Sequence, residues 1–147
     1  MKELIRLFEW HEVNYALVGG YAVGYHGYVR MTQDIDFLLR PSVANAARVR
    51  SCLTDFGFGQ AGIPFEIFEL EGGAVHLGVE PNRIDLLTSL HGVDNDSIFA
   101  HLQRAVIDGV ALWIIDRDDL ITVKRCSARL RDQADAEELD RFRNDGL

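Results

Sequence analysis

The chain has 147 residues, of which 48% are hydrophobic and 26% charged, enough for one core and too apolar for a disordered segment. Its formal charge of −8 argues against a nonspecific nucleic-acid binder, because phosphate neutralisation supplies most of such affinity. No apolar run approaches the ~18–20 residues that span a bilayer, and the charged start "MKELIRLFEWHEV" lacks a signal-peptide core, so a cytoplasmic protein without a membrane partner is expected.

In chain order, residues 3–12 predict a helix with Leu4, Leu7 and Phe8 on one face. "YALVGG" predicts a strand over Tyr15–Val18 that ends at paired glycines, followed by a short helix over 21–27. "DIDFLL" is a buried strand with a polar end. "SVANAARVRSCLTDF" is a helix with Ser42 as its N-cap. Residues 64–81 predict a hairpin around Gly72-Gly73, with Phe65, Ile67 and then Val75, Leu77, Val79 alternating. "NRIDLLTSL" reads as a strand, "DNDSIFAHLQRA" as a short helix and "GVALWIID" as a further strand. "RDDLITVKRCSARL" and "DQADAEELDRFR" close the chain as two helices that meet near Arg131-Asp132. The expected architecture is an α/β (α+β) domain over 1–147, with a mixed sheet of about four or five strands and C-terminal helices over 117–145 packed on it. Cys52 and Cys126 have no metal-type spacing and read as reduced thiols. Trp10 and Trp113 lie in apolar patterns and are expected in the core; His26 and His76 are expected as surface or packed histidines.

The chemistry gathers around Asp34 and Asp36. Two residues apart on a strand, their side chains leave one face ~6.6 Å apart, at ~3.3 Å per residue. Carboxylates so placed repel unless a cation joins them, and a divalent ion suits oxygen ligands. Asp85 of "RIDLL" is a third acid inside an apolar strand and lies beside this pair if the two strands are neighbours. Three acids on one sheet face make the ligand set of a two-metal phosphoryl-transfer site, with ions ~3.5–4 Å apart. Gly19-Gly20 lets backbone N–H groups approach a phosphate that a Cβ would obstruct. The window therefore predicts a cradle for an NTP and metal.

The Gly19-Gly20 pair, the gap of thirteen residues, Asp34-Ile35-Asp36 and the later Asp85 strand resemble the signature of the polymerase-beta-type nucleotidyltransferase superfamily. Within it, "RMTQDIDFLL", "RIDLL" and "DDLITVKRCSARLRDQADAEEL" are similar to small bacterial stand-alone nucleotidyltransferases, a group that includes members of toxin–antitoxin and phage-defence pairs. The resemblance spans about residues 15–140 and implies a minimal nucleotidyltransferase fold. It implies that Asp34 and Asp36 bind two Mg²⁺ or Mn²⁺ ions, and that Asp85 binds the catalytic ion and deprotonates the acceptor hydroxyl. Gly19 and Gly20 then hold the triphosphate of an NTP such as ATP, and Lys124 matches a family lysine that contacts it. Gly20 stands where many relatives have serine.

Arg30 and Thr32 alternate with the acids; Arg30 either reaches phosphate or is solvated, while Thr32 bonds locally. Lys124 and Arg131, seven apart, are expected on one helical face at the phosphates, with Arg125 and Arg129 solvated. Asp132 reads as a helix cap. A haloacid-dehalogenase-like phosphatase also uses Asp-x-Asp, but it needs Gly-Thr where Phe37-Leu38 stand. The expected activity is transfer of an NMP to a hydroxyl of RNA, protein or a small molecule, with release of pyrophosphate. The alternative is a non-catalytic nucleotide-binding regulator or antitoxin-like partner of the same fold.

Overall fold

Helix α1 (Lys2–Trp10) turns Leu4, Ile5 and Phe8 inward onto the first strand, because these positions share one side at helical spacing. The computed structural model describes residues 1–145, with side chains through Arg141; Gly146 and Leu147, the end of the domain expected over 1–147, lie outside the described residues. Phe8 packs against Tyr15 and Phe37 with ring centroids 4.9 and 5.2 Å away, so α1, β1 (Tyr15–Val18) and β2 (Asp34–Leu39) share one aromatic centre. Helix α2 (Gly19–Tyr25) connects those paired strands in the chain and begins at the glycines themselves.

Helix α3 (Val43–Leu53) starts where Ser42 Oγ accepts from Asn45 N at 2.9 Å, the expected cap. Strands β3 (Ala74–Leu77) and β4 (Arg83–Leu87) form a hairpin, followed by α4 (Asn95–Ala100). A second hairpin, β5 (Gln103–Ile107) and β6 (Val110–Ile114), leads to α5 (Arg117–Arg125) and α6 (Leu130–Asp145). The strands make one mixed six-stranded sheet in the order β3-β4-β2-β1-β6-β5. Pairs β2/β4 and β1/β6 are parallel and the other three antiparallel. No helix among the described residues is long and apolar enough to cross a membrane.

Several expectations are corrected. The sheet has six strands rather than four or five, because residues 103–105 leave the expected helix and join 106–107 in pairing with β6. Asp108 and Gly109, with φ of 51° and 79°, form the tight turn between them. The first arm of the expected 64–81 hairpin is instead a turn of 3-10 helix over Phe65–Glu69. Phe65 and Phe68, three apart, come to the same side there and stand 6.3 Å apart. Alternation of Phe65 and Ile67 was therefore ambiguous with an i, i+3 pair. Trp10 is 80% exposed at the end of α1, not in the core. Trp113 is at the surface too, with the Arg104 guanidinium 4.6 Å over its ring.

Candidate active site

The register of three strands assembles the acids. Across the parallel pair β2/β4, Asp34 lies beside Arg83 and Asp36 beside Asp85; in the β3/β4 hairpin His76 lies beside Asp85. Side chains two apart share a face, so Asp34, Asp36, Asp85, Arg83 and His76 all project from one side. Ile35, Phe37, Ile84 and Leu86 go to the other side, where they are buried and hold both strands in place.

Asp85 is 6% exposed yet well partnered. Its Oδ1 accepts from Arg83 Nε at 2.9 Å and hydrogen-bonds His76 Nδ1 at 2.6 Å; its Oδ2 accepts from Arg83 Nη2 at 3.2 Å. Burial pushes its carboxyl up, but the Arg83 and His76 bonds outweigh burial and hold it below its ordinary value. Asp36 lacks such help. Burial, followed by its hydrogen bond to Asp85 and the charges of Asp85 and Asp34, pushes it from 3.8 up to about 7. Lys124 offsets only part of that rise.

The donor set fits a divalent cation. Asp34 Oδ1 is buried without a hydrogen-bond partner, and burial together with the Asp85 and Asp34 carboxylates makes Asp36 resist ionisation. Among the described residues no three His, Cys, Asp or Glu groups stand together as a preformed metal cage. Arg83 lies between the acids instead, with Nη2 also donating to Asp34 Oδ2 at 3.0 Å. Its guanidinium supplies the positive charge that an ion would bring.

The glycine turn closes one edge of the site. Gly19 has φ +71°, and a Cβ there would overlap Asp36 Oδ2, so both its backbone and its neighbour exclude other residues. At Gly20 a Cβ would stand 2.6 Å from Thr32 Oγ1. That hydroxyl donates to Asp34 O at 3.2 Å, the local bond expected of Thr32.

Thr32, Asp34, Asp36, Arg83 and Asp85 line a pocket of about 380 Å³ that Gly20, Arg30, Lys124 and Arg131 also reach, whereas Gly19 and His76 stand outside its lining. Lys124 and Arg131 arrive from different helices, which corrects their placement on one helical face. Helix α5 stops at Cys126, and Ser127 Oγ accepts from Arg129 N at 3.1 Å to turn the chain into α6. Arg129 is exposed, as expected, yet also lines the pocket, whereas Arg125 points away to an exposed ion pair with Asp140 at 2.8 Å. Asp132 pairs with Lys124 Nζ at 3.0 Å and accepts from Ser127 Oγ at 2.7 Å, a cation partner more than a cap. The lining carries five cations, Arg30, Arg83, Lys124, Arg129 and Arg131, against five carboxylates, Asp34, Asp36, Glu80, Asp85 and Asp132.

Sequence reasoning passed over Arg83 and read His76 without a role, although the period-two rule puts Arg83 on the Asp85 face. His26 is buried, with Nε2 2.7 Å from Ile115 O, a packed histidine as expected. Neither the family models nor the curated proteins compared with this chain match it.

Proposed function

We propose that the chain is a metal-dependent nucleotidyltransferase of the polymerase-beta type, moving an NMP from an NTP to an acceptor hydroxyl. One observation carries this reading: Asp34, Asp36 and Asp85 share one face of two neighbouring parallel strands, in a pocket whose other wall is cationic. The equal count of cations and carboxylates suits a ligand that is itself close to neutral, a triphosphate with two divalent ions. A bare triphosphate would meet the acids, and bare cations would meet the arginines.

In this reading Asp34 and Asp36 would hold both ions and Asp85 the catalytic one. Mg²⁺ or Mn²⁺ held there would supply Lewis-acid activation of the hydroxyl and neutralise charge on the triphosphate. The acceptor oxygen bonds to the α-phosphorus, the bond to the β-phosphate bridging oxygen breaks, and pyrophosphate leaves. Asp85 takes the hydroxyl proton. Lys124, Arg30 and Arg131 face the leaving pyrophosphate, and the Gly19-Gly20 turn leaves room for phosphate oxygens near the backbone. Acceptors of three kinds, RNA, protein or a small molecule, present a suitable hydroxyl. A toxin–antitoxin context with a cognate partner protein belongs to the same proposal.

Calorimetry with each NTP tests the reading. Binding is expected with Mg²⁺ or Mn²⁺ and is expected to weaken strongly once the metal is chelated; equal affinity in EDTA would sink it. Labelled NTP incubated with cell lysate should then mark one acceptor fraction. The Arg83 fork favours a second reading, a nucleotide-binding regulator whose acids are neutralised internally. Metal-dependent binding without any label transfer or pyrophosphate release would select it.

The glycine turn gives a separate expected result. Gly20→Ala drives a methyl into Thr32 and toward Arg30, so NTP affinity should fall about tenfold, the equivalent of ~1.4 kcal/mol. Gly24→Ala is the control, because a Cβ there meets nothing within 4 Å and its backbone is ordinary helix. Unchanged NTP binding by a folded Gly20→Ala protein would remove the turn from the phosphate seat.

A further inference from the structure

The cationic wall of the pocket is braced from behind by an acid that does not line it. Asp135 on α6 is 1% exposed. Arg30 Nε donates to its Oδ1 and Arg30 Nη2 to its Oδ2, each at 2.7 Å, and Lys124 Nζ stands 3.4 Å from Oδ2. Arg30 comes from the loop between α2 and β2, and Lys124 from α5. Two consecutive helices and a loop 105 residues before Asp135 therefore meet on one carboxylate.

Two cations brought this close repel unless an anion sits between them. The two-pronged bond also fixes the plane and direction of the Arg30 guanidinium, which a single contact would not. Its remaining nitrogen, Nη1, reaches only the carbonyl of Met31 at 3.1 Å. A buried ion cluster is a poor choice for simple fastening, since apolar side chains of similar volume often fasten as well or better. Its position directly behind two pocket-lining cations gives it another use.

We infer that Asp135 is a positioning residue for phosphoryl transfer, aiming Arg30 and Lys124 together at the β- and γ-phosphates of the bound nucleotide. The inference rests on the nucleotidyltransferase reading above. It separates the pocket into two halves that answer to different residues: Asp135 governs the phosphate half, and the strand acids govern the ion half.

The full-length chain carrying Asp135→Asn tests this with two probes, Mn²⁺ alone and Mg²⁺–tripolyphosphate, each followed by calorimetry. Tripolyphosphate affinity should fall about tenfold or more, as when a charge-assisted contact is lost, while Mn²⁺ affinity stays as in the parent protein. Should Asp135→Asn unfold, Asp135→Glu keeps the buried charge but moves it by one methylene, so it should fold yet show the same selective loss. Retained tripolyphosphate affinity in a folded variant would overturn the inference. So would equal loss of both probes, which would make Asp135 only a pin for α6. If the parent protein binds no Mg²⁺–tripolyphosphate, the nucleotidyltransferase reading itself falls, an outcome no variant result can imitate.

Discussion

Replacing Asp36 by Asn is expected to lower NMP transfer by at least ~10²-fold, the scale seen when transition-state charge stabilisation is lost. Asp85→Asn should lose as much. Their effects on stability should run in opposite directions, and that contrast comes from the neighbours of each acid. Asp36 is pushed up from 3.8 to about 7 by burial and by Asp85 and Asp34. A raised carboxyl favours the folded state below its unfolded value and loses that advantage as pH rises through the folded value. In EDTA the parent protein should therefore lose stability as pH rises from about 4 through about 7, and Asp36→Asn should lessen that fall. Asp85 is held low by Arg83 and His76, so its contribution is present at neutral pH and disappears as pH drops through its folded value. Asp85→Asn removes that contribution and leaves Arg83 and His76 one uncharged acceptor oxygen in place of a carboxylate. Melting curves against pH, in EDTA, read both effects. Near-normal turnover of a folded Asp36→Asn protein would end its assignment as an ion ligand.

The difference between these two acids was not visible in the chain, although both acids were. Asp34, Asp36 and Asp85 stand out because a charge inside an apolar strand is costly and needs a reason. Period-two spacing alone puts Asp34 and Asp36 on one face, whereas bringing Asp85 beside Asp36 takes the parallel pairing of β2 with β4. Arg83 obeys the same spacing but resembles any solvated residue at a strand end; only the register shows that it spans Asp34 and Asp85. His76 reaches Asp85 through the β3/β4 hairpin, which the alternation of Phe65 and Ile67 hides by suggesting a different partner for β3. Asp135 is harder still. In "DQADAEELD" it is one acid among many on a helix, and its partner Arg30 is 105 residues away. The missing strand β5 was legible, since Asp108-Gly109 between two apolar-rich runs is a strong hairpin signal.

Lys124→Ala should reduce turnover by about 10²-fold, through loss of a few kcal/mol of stabilisation on the departing pyrophosphate in a water-poor site. Arg125→Ala should leave it nearly unchanged. The residues are adjacent in α5 but serve different surroundings. Lys124 is mostly buried, lines the pocket, and stands 3.0 Å from Asp132 and 3.4 Å from Asp135. Arg125 lies outside the pocket lining in its exposed pair with Asp140, an arrangement worth little to folding or binding. Truncating Lys124 does not strand its partners completely: Asp132 keeps Ser127, and Asp135 keeps the Arg30 fork. A lowered melting temperature is still expected, so the assay belongs at a temperature where both variants are folded. Lys124→Arg refines the test, because it keeps the charge while changing the reach; partial recovery is expected if charge on the phosphate is what matters. Turnover should be followed with a small hydroxyl acceptor and with RNA. A loss confined to RNA in both variants would make the segment an acceptor-binding patch, and no loss in either would leave Lys124 as a helix-packing cation whose pairs with Asp132 and Asp135 serve the fold alone.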